Sequence, residues 1–197
     1  MKLNGKIWIY PFVIAGMLIV VTGSCEKDDD DDDNSQTYAI GESYGGGIVF
    51  YVDGTKKHGY VAALNDQTSS ENIVWGCEGT FVTGTSTAVG TGQANTTAIV
   101  NSCSANGIAA RICDQLELNG FSDWFLPSKD ELDLMYQNLH VQQLGNFSDF
   151  LYWSSSQIDE DNVWAQNFWD DSPFFDDGGQ YSVNKVGDLY LRAMRVF

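Results

Sequence analysis

A run of six consecutive aspartates at residues 28–33 constrains this chain more than any other feature. Like charges in a block cannot be buried together and stay extended and solvated, so any core must be built from residues 38–197. The run is not an EF-hand loop: counted from Asp29, Gly is required at the sixth position and Glu at the twelfth, where the chain has Asn34 and Ile40. Ahead of it, Lys2 and Lys6 precede a stretch at 7–22 that is apolar apart from Pro11. That is the length of a secretory signal's apolar region and short for a membrane span.

The remainder has the composition of a folded domain. The chain is 43% hydrophobic and 13% aromatic, unlike an aromatic-poor disordered acidic chain, and 197 residues suit one sizeable core. Ten Lys and Arg against 27 Asp and Glu give a net charge of −17, and residues 38–197 alone carry −13. Such a surface repels polyanions, which excludes nucleic acid as a partner. Two histidines occur, His58 and His140, and neither belongs to a zinc-hydrolase pair.

Patterning predicts strands, then helices, then strands. IVFYV at 48–52 and YVAAL at 60–64 are β-branched and aromatic runs joined by a turn-rich DGTKKHG, the signature of a hairpin. Residues 73–75 suggest a short strand, and 76–92, rich in Gly and Thr, an irregular surface loop. Asn95 is expected to cap a first helix bearing Ile99, Val100 and Cys103. Ala109, Ile112, Cys113 and Leu116 line a second, stopped by Asn119 and Gly120. Trp124, Phe125 and Leu126 read as a short buried strand broken by Pro127. Ser128 with Glu131 forms a capping box, and Leu132, Met135, Tyr136 and Leu139 give the stripe of a third helix. FLYWSSSQ from 150, a turn at IDEDN, VWAQNFW from 163 and a last strand over 188–197 follow. This order predicts an α+β fold with a mostly antiparallel sheet, two to three helices mid-chain and long surface loops.

WFLPSKDELDLMY (124–136), YWSSS (152–156), VWAQNF (163–168) and LRAMRVF (191–197) together resemble the Lcl C-terminal domain, first met in a collagen-like bacterial surface adhesin. The resemblance covers nearly all of 44–197. It implies a C-type-lectin-like fold related to that of formylglycine-generating enzymes, with paired N- and C-terminal strands. It also implies surface lipoproteins that adhere. The adhesin's glycosaminoglycan ligand is not carried over, because this chain is acidic and has no collagen repeat. Thr22, Gly23 and Ser24 leading into Cys25 resemble a lipobox, which implies a lipid on Cys25, and the acidic run resembles the export signal of surface-displayed lipoproteins. The expected organisation is a signal peptide at 1–24, lipidated Cys25 and an acidic tether at 25–37, and the domain at 38–197. The tether has a coil span of about 20 Å and a contour near ~40 Å. The expected location is the outer membrane, facing the exterior, with the membrane a partner through the lipid.

Lipidation of Cys25 leaves Cys77, Cys103 and Cys113 in an oxidising compartment. Cys113 sits on an apolar stripe, while Cys77 and Cys103 flank the irregular loop that a crosslink would restrain, so these two are the expected disulfide; Cys103 with Cys113 is the alternative. Gly90, Gly92 and their neighbours lack the third glycine of a dinucleotide fingerprint. The stretch from Gly84 to Ala88 lacks the last glycine of a nucleophile elbow. No pattern sets a base beside a thiol.

NFWDDSPFFDD, residues 167–177, mixes Trp169, Phe174 and Phe175 with four aspartates. Aromatic faces stack on sugars and clustered carboxylates hold calcium. The candidate ligand-binding residues are Trp169, Asp170, Asp171, Phe174 and Phe175; the candidate calcium ligands are Asp170, Asp176 and Asp177. Against this stands packing of the aromatics beneath a long loop, and the lectin motifs EPN and QPD are absent. No catalytic residue and no other cofactor is expected. The leading expectation is a non-catalytic lectin-like binding or adhesion domain whose ligand is a glycan, matrix or surface protein. The alternatives are a subunit of a cell-surface assembly, and an enzyme reusing the fold.

Overall fold

The computed structural model describes residues 36–67 and 73–197. The expected signal peptide, Cys25 and the aspartate run lie outside the described residues.

The two β-branched runs pair as a hairpin. Strands β1 (Ser43–Tyr44), β2 (Gly47–Val52) and β3 (Gly59–Ala62) are antiparallel. The C-terminal strand β7 (Met194–Val196) completes the sheet by pairing with β3, in the order β1-β2-β3-β7. N- and C-terminal strands therefore share one sheet. A second antiparallel sheet holds β4 (Leu151–Gln157), β5 (Asn162–Asn167) and β6 (Gln180–Asn184), in that order. Between them in sequence come α1 (Gly92–Ser102), α2 (Ala109–Asp114) and α3 (Lys129–Met135), the last running on as a π-helical turn, Tyr136–His140. The fold is α+β with two antiparallel sheets and three helices among the described residues.

Several expectations shift. Residues 73–75 form no ladder: Trp75 N donates to Lys185 O, and Val74 O accepts from Ala109 N. Helix α1 starts at Gly92, ahead of Asn95, with Thr91 at its N-cap. Asn95 is fully buried, and its amide bonds the backbone N–H and carbonyl of Ser86 (2.9 and 2.7 Å) and Ser155 Oγ (3.1 Å). It pins the Gly/Thr loop instead of capping, because a buried amide must satisfy its donors wherever partners lie. Helix α2 ends at Asp114, before Asn119 and Gly120, which form a tight turn with positive φ at both residues (54° and 84°), bridged by Leu118 and Phe121. Of the expected last strand only Met194–Val196 pairs in a ladder. Leu189 and residues 191–193 are buried, with half-buried Tyr190 bridging Tyr152 and Ala193 O accepting from Ala63 N, so this stretch changes partners midway. Strand β6 carried too weak an alternation to be predicted.

The capping box forms: Ser128 Oγ accepts from Glu131 N (3.3 Å) and Ser128 N donates to Glu131 Oε2 (2.7 Å). Such a cap contributes about 1 kcal/mol. Leu132, Met135, Tyr136 and Leu139 are buried as their spacing predicts. Trp75 and Trp153 are fully buried in the larger core cluster, their indole N–H groups donating to Ser154 O (2.8 Å) and Ile73 O (2.9 Å). Satisfied indoles of this kind bury large apolar area without an orphaned donor. Ser154, Ser155 and Ser156 are also buried and donate to Trp164 O, Pro127 O and Ser86 O, stitching β4 to its neighbouring strand and loops. Cys77 and Cys103 form a disulfide with Cα atoms 5.4 Å apart, and Cys113 is a buried free thiol.

Candidate functional site

Residues 168–179 connect β5 to β6, and one buried side chain organises both ends of the loop. Asn167, the last residue of β5, is fully buried. Its Nδ2 donates to Trp169 O (3.0 Å) and Asp176 O (3.1 Å), and its Oδ1 accepts from Trp169 N (3.0 Å). The backbone closes beneath it, with Asn167 N donating to Gly179 O and Gly179 N to Asp176 O, both at 2.9 Å. Gly178 adopts φ 67°, and a Cβ there would meet the Tyr136 ring at 2.4 Å, so only glycine fits. Asp171 N donates to Asp177 Oδ1 (3.1 Å), and Asp176 N donates to Tyr181 Oη (2.7 Å). These bonds fix the base and leave the tip outward.

The aromatics divide. Phe175 is half-buried, 5.0 Å from the Tyr181 ring, and packs on the larger core. Trp169 is half-buried and meets Phe174 edge to face at 6.5 Å. Phe174 is 76% exposed, the most exposed large hydrophobic residue among those described. The packing alternative therefore describes Phe175, while Trp169 and Phe174 form an apolar surface facing water.

The four aspartates neighbour these two aromatics in sequence and are all exposed. Asp170 Oδ1 lies 2.9 Å from His140 Nε2, and His140 stacks on Tyr136 at 5.1 Å. Burial, then the charges of Asp170, Asp177 and Asp133, hold the Tyr136 phenol above its ordinary range. Among the described residues, no three His, Cys, Asp or Glu side chains converge to hold a metal ion. Asp170 turns to His140 and Asp177 caps a backbone N–H, so Asp170, Asp176 and Asp177 are not gathered as a calcium ligand set.

Elsewhere the polar chemistry is internal. Burial pushes the Cys113 thiol above its ordinary value, which keeps it protonated and unreactive. Burial likewise raises Glu131, although Ser128 N and Gly90 N both donate to it. Trp153 is core, whereas Trp164 is half-buried with Lys129 Nζ 5.1 Å over its ring. The asparagine that sets the loop was missed by sequence reasoning, since an amide at the end of an apolar strand looks like any polar strand terminus.

No family model matches the chain, and the search of curated proteins finds no match to it.

Proposed function

We propose that the chain is an outer-membrane lipoprotein, anchored through a lipid on Cys25 and facing the cell exterior, whose domain binds an external glycan or matrix without catalysis. The domain takes, in this reading, the C-type-lectin-like form that its motifs resemble. The observation that carries the reading is the 168–179 loop, where a buried Asn167 holds a fixed base and Trp169 and Phe174 stand outward as an apolar surface. Exposed aromatic groups on a pre-organised base suit sugar stacking, because little ordering entropy is lost on binding. The thiols support a non-catalytic role: two are joined and the third is buried and protonated. The leader, the residues before Cys25 and the aspartate run support the anchor and display.

A glycan array probed with the full chain in detergent, with calcium and with chelator, tests the binding. The expected result is glycan binding that survives chelation and is lost in Phe174→Ala. Absence of binding to any glycan overturns the reading in favour of a role within a surface assembly. Protease treatment of intact cells is expected to remove the domain, and labelling with a palmitate analogue is expected to vanish in Cys25→Ala. Protection from protease, or labelling that persists, overturns the location or the anchor.

A further inference from the structure

We infer that the glycan bound by the 168–179 loop carries free, protonated amines, as in a polymer of unacetylated amino sugars; this rests on the reading that the loop binds a glycan. The apolar surface comes first. Phe174 is 76% exposed with Trp169 against its edge, on a base fixed by three hydrogen bonds from one buried amide. A ring face of this kind accepts either the C–H face of a sugar or a cation.

Charge complementarity then decides between sugars. Asp170, Asp171, Asp176 and Asp177 neighbour the two aromatics in sequence, and residues 168–179 contain no Lys or Arg. Four of the domain's seven Lys and Arg side chains are bonded within the fold, while Lys56 and Lys57 are exposed in the turn between β2 and β3 and Lys129 is half-buried over Trp164. Arg192 and Lys185 are fully buried and Arg195 is 9% exposed. Arg111 is occupied by the carbonyls of Val100, Cys103 and Ala105. The loop's own charge is therefore negative, with His140 Nε2 2.9 Å from Asp170 Oδ1.

Three kinds of sugar fare differently on such a surface. An anionic glycan is repelled. A neutral one stacks on the rings but displaces water from carboxylates that it cannot neutralise, at a cost. An amine-bearing one presents its C–H face to Phe174 and Trp169 and its ammonium groups to the aspartates, using both features with charge-assisted hydrogen bonds. The domain charge of −13 also draws a polycation in over distance.

Calorimetric titration of the full chain in detergent micelles tests this with three probes: a glucosamine oligomer with free amines, its fully N-acetylated counterpart, and oligolysine. The free-amine oligomer is expected to bind at least tenfold more tightly than either of the others and to weaken in high salt. Phe174→Ala and the pair Asp171→Asn with Asp176→Asn are each expected to weaken it by about tenfold with an unchanged melting temperature, since these side chains are exposed. Equal affinity for the acetylated oligomer overturns the amine requirement and leaves the glycan reading standing. Oligolysine bound as tightly as the glucosamine oligomer shows that charge alone suffices and overturns the sugar specificity. No binding of either sugar overturns both.

Discussion

Arg192 and Asp170 are both charged, and the protein treats them in opposite ways. Arg192 is fully buried, and its five N–H donors all end on oxygens: two on Asp66 Oδ1 (2.8 and 2.6 Å), and one each on Ala63 O, Gly145 O and Asn146 O. Asp66 in turn accepts from Ser148 Oγ and Tyr152 Oη, both at 2.8 Å. Gly145 and Asn146 have positive φ (83° and 51°), which aims two successive carbonyls at the guanidinium. Lys185 repeats the pattern with the carbonyls of Thr80 (2.7 Å) and Glu160 (2.6 Å) and with Gln157 Oε1 (3.1 Å). The carboxylates of the 168–179 loop are exposed instead, Asp170 beside His140 and Asp177 accepting from the Asp171 N–H. Arg192 and Lys185 hold loops together from within, so their charge is taken up inside the fold, whereas the aspartates of the 168–179 loop lie at the surface.

The largest effect is expected where that internal bonding is cut. Arg192→Leu leaves Asp66 buried without its counter-ion, a loss of roughly 3–5 kcal/mol that urea unfolding reads directly. Adding Asp66→Asn is expected to recover part of it, and additivity of the two losses would show that the pair is not coupled. Cys103→Ser opens a loop whose ends are separated by 26 residues, a loss of about 3.5 kcal/mol by loop-closure entropy. An unchanged unfolding midpoint in that variant would mean that the 78–102 segment is restrained by its packing instead.

The contrast between these regions also explains what could be read from the chain. Features set by local rules were legible: the hairpin of residues 48–62, the capping box of Ser128 and Glu131, the helical stripe through Leu139, and the pairing of Cys77 with Cys103, which flank one loop. What depends on distant partners was not. Arg192 sits in an apolar run and bonds Asp66, 126 residues away; nothing local marks either as half of a pair. Asn95 has the residue type of a helix cap, but its burial is decided by Ser155 and Ser86. The 168–179 loop was legible as a mixture of aromatics and acids. Which aromatic faces water depended on Asn167 and Tyr181, whose roles are tertiary.

Asn167→Ala tests whether the loop is pre-organised. Three hydrogen bonds go, but the freed backbone groups are near the surface and regain water, so the expected loss is only about 1–2 kcal/mol. Hydrogen exchange in 168–179 is expected to speed up, and affinity for the glucosamine oligomer to fall although Asn167 is buried beneath the loop. Unchanged exchange with unchanged affinity would mean that the loop's shape does not depend on this amide.

Arg195 and Asp123 lie between the two extremes and give the smallest effect. The guanidinium bonds both Asp123 oxygens (2.6 and 2.8 Å) and lies 3.9 Å from the Phe121 ring centroid, but the Asp123 side chain is 49% exposed. Its hydrogen bonds from Arg195 hold the Asp123 carboxyl below the ordinary carboxylate range. Between the lowered folded value and the ordinary value near ~3.9, the unfolded chain binds more protons, so stability rises with pH through that window. The contribution is fully present above the ordinary value and disappears as pH falls through the folded one. Solvent screening limits it to no more than about 1 kcal/mol. Asp123→Asn is therefore expected to be slightly less stable than the wild type at pH 7 and to converge on it as the solution is acidified. Urea unfolding of both proteins from pH 7 to pH 3 checks this: a gap that stays constant across the range would assign the loss to packing on Phe121, and Arg195 would then belong with the buried cations.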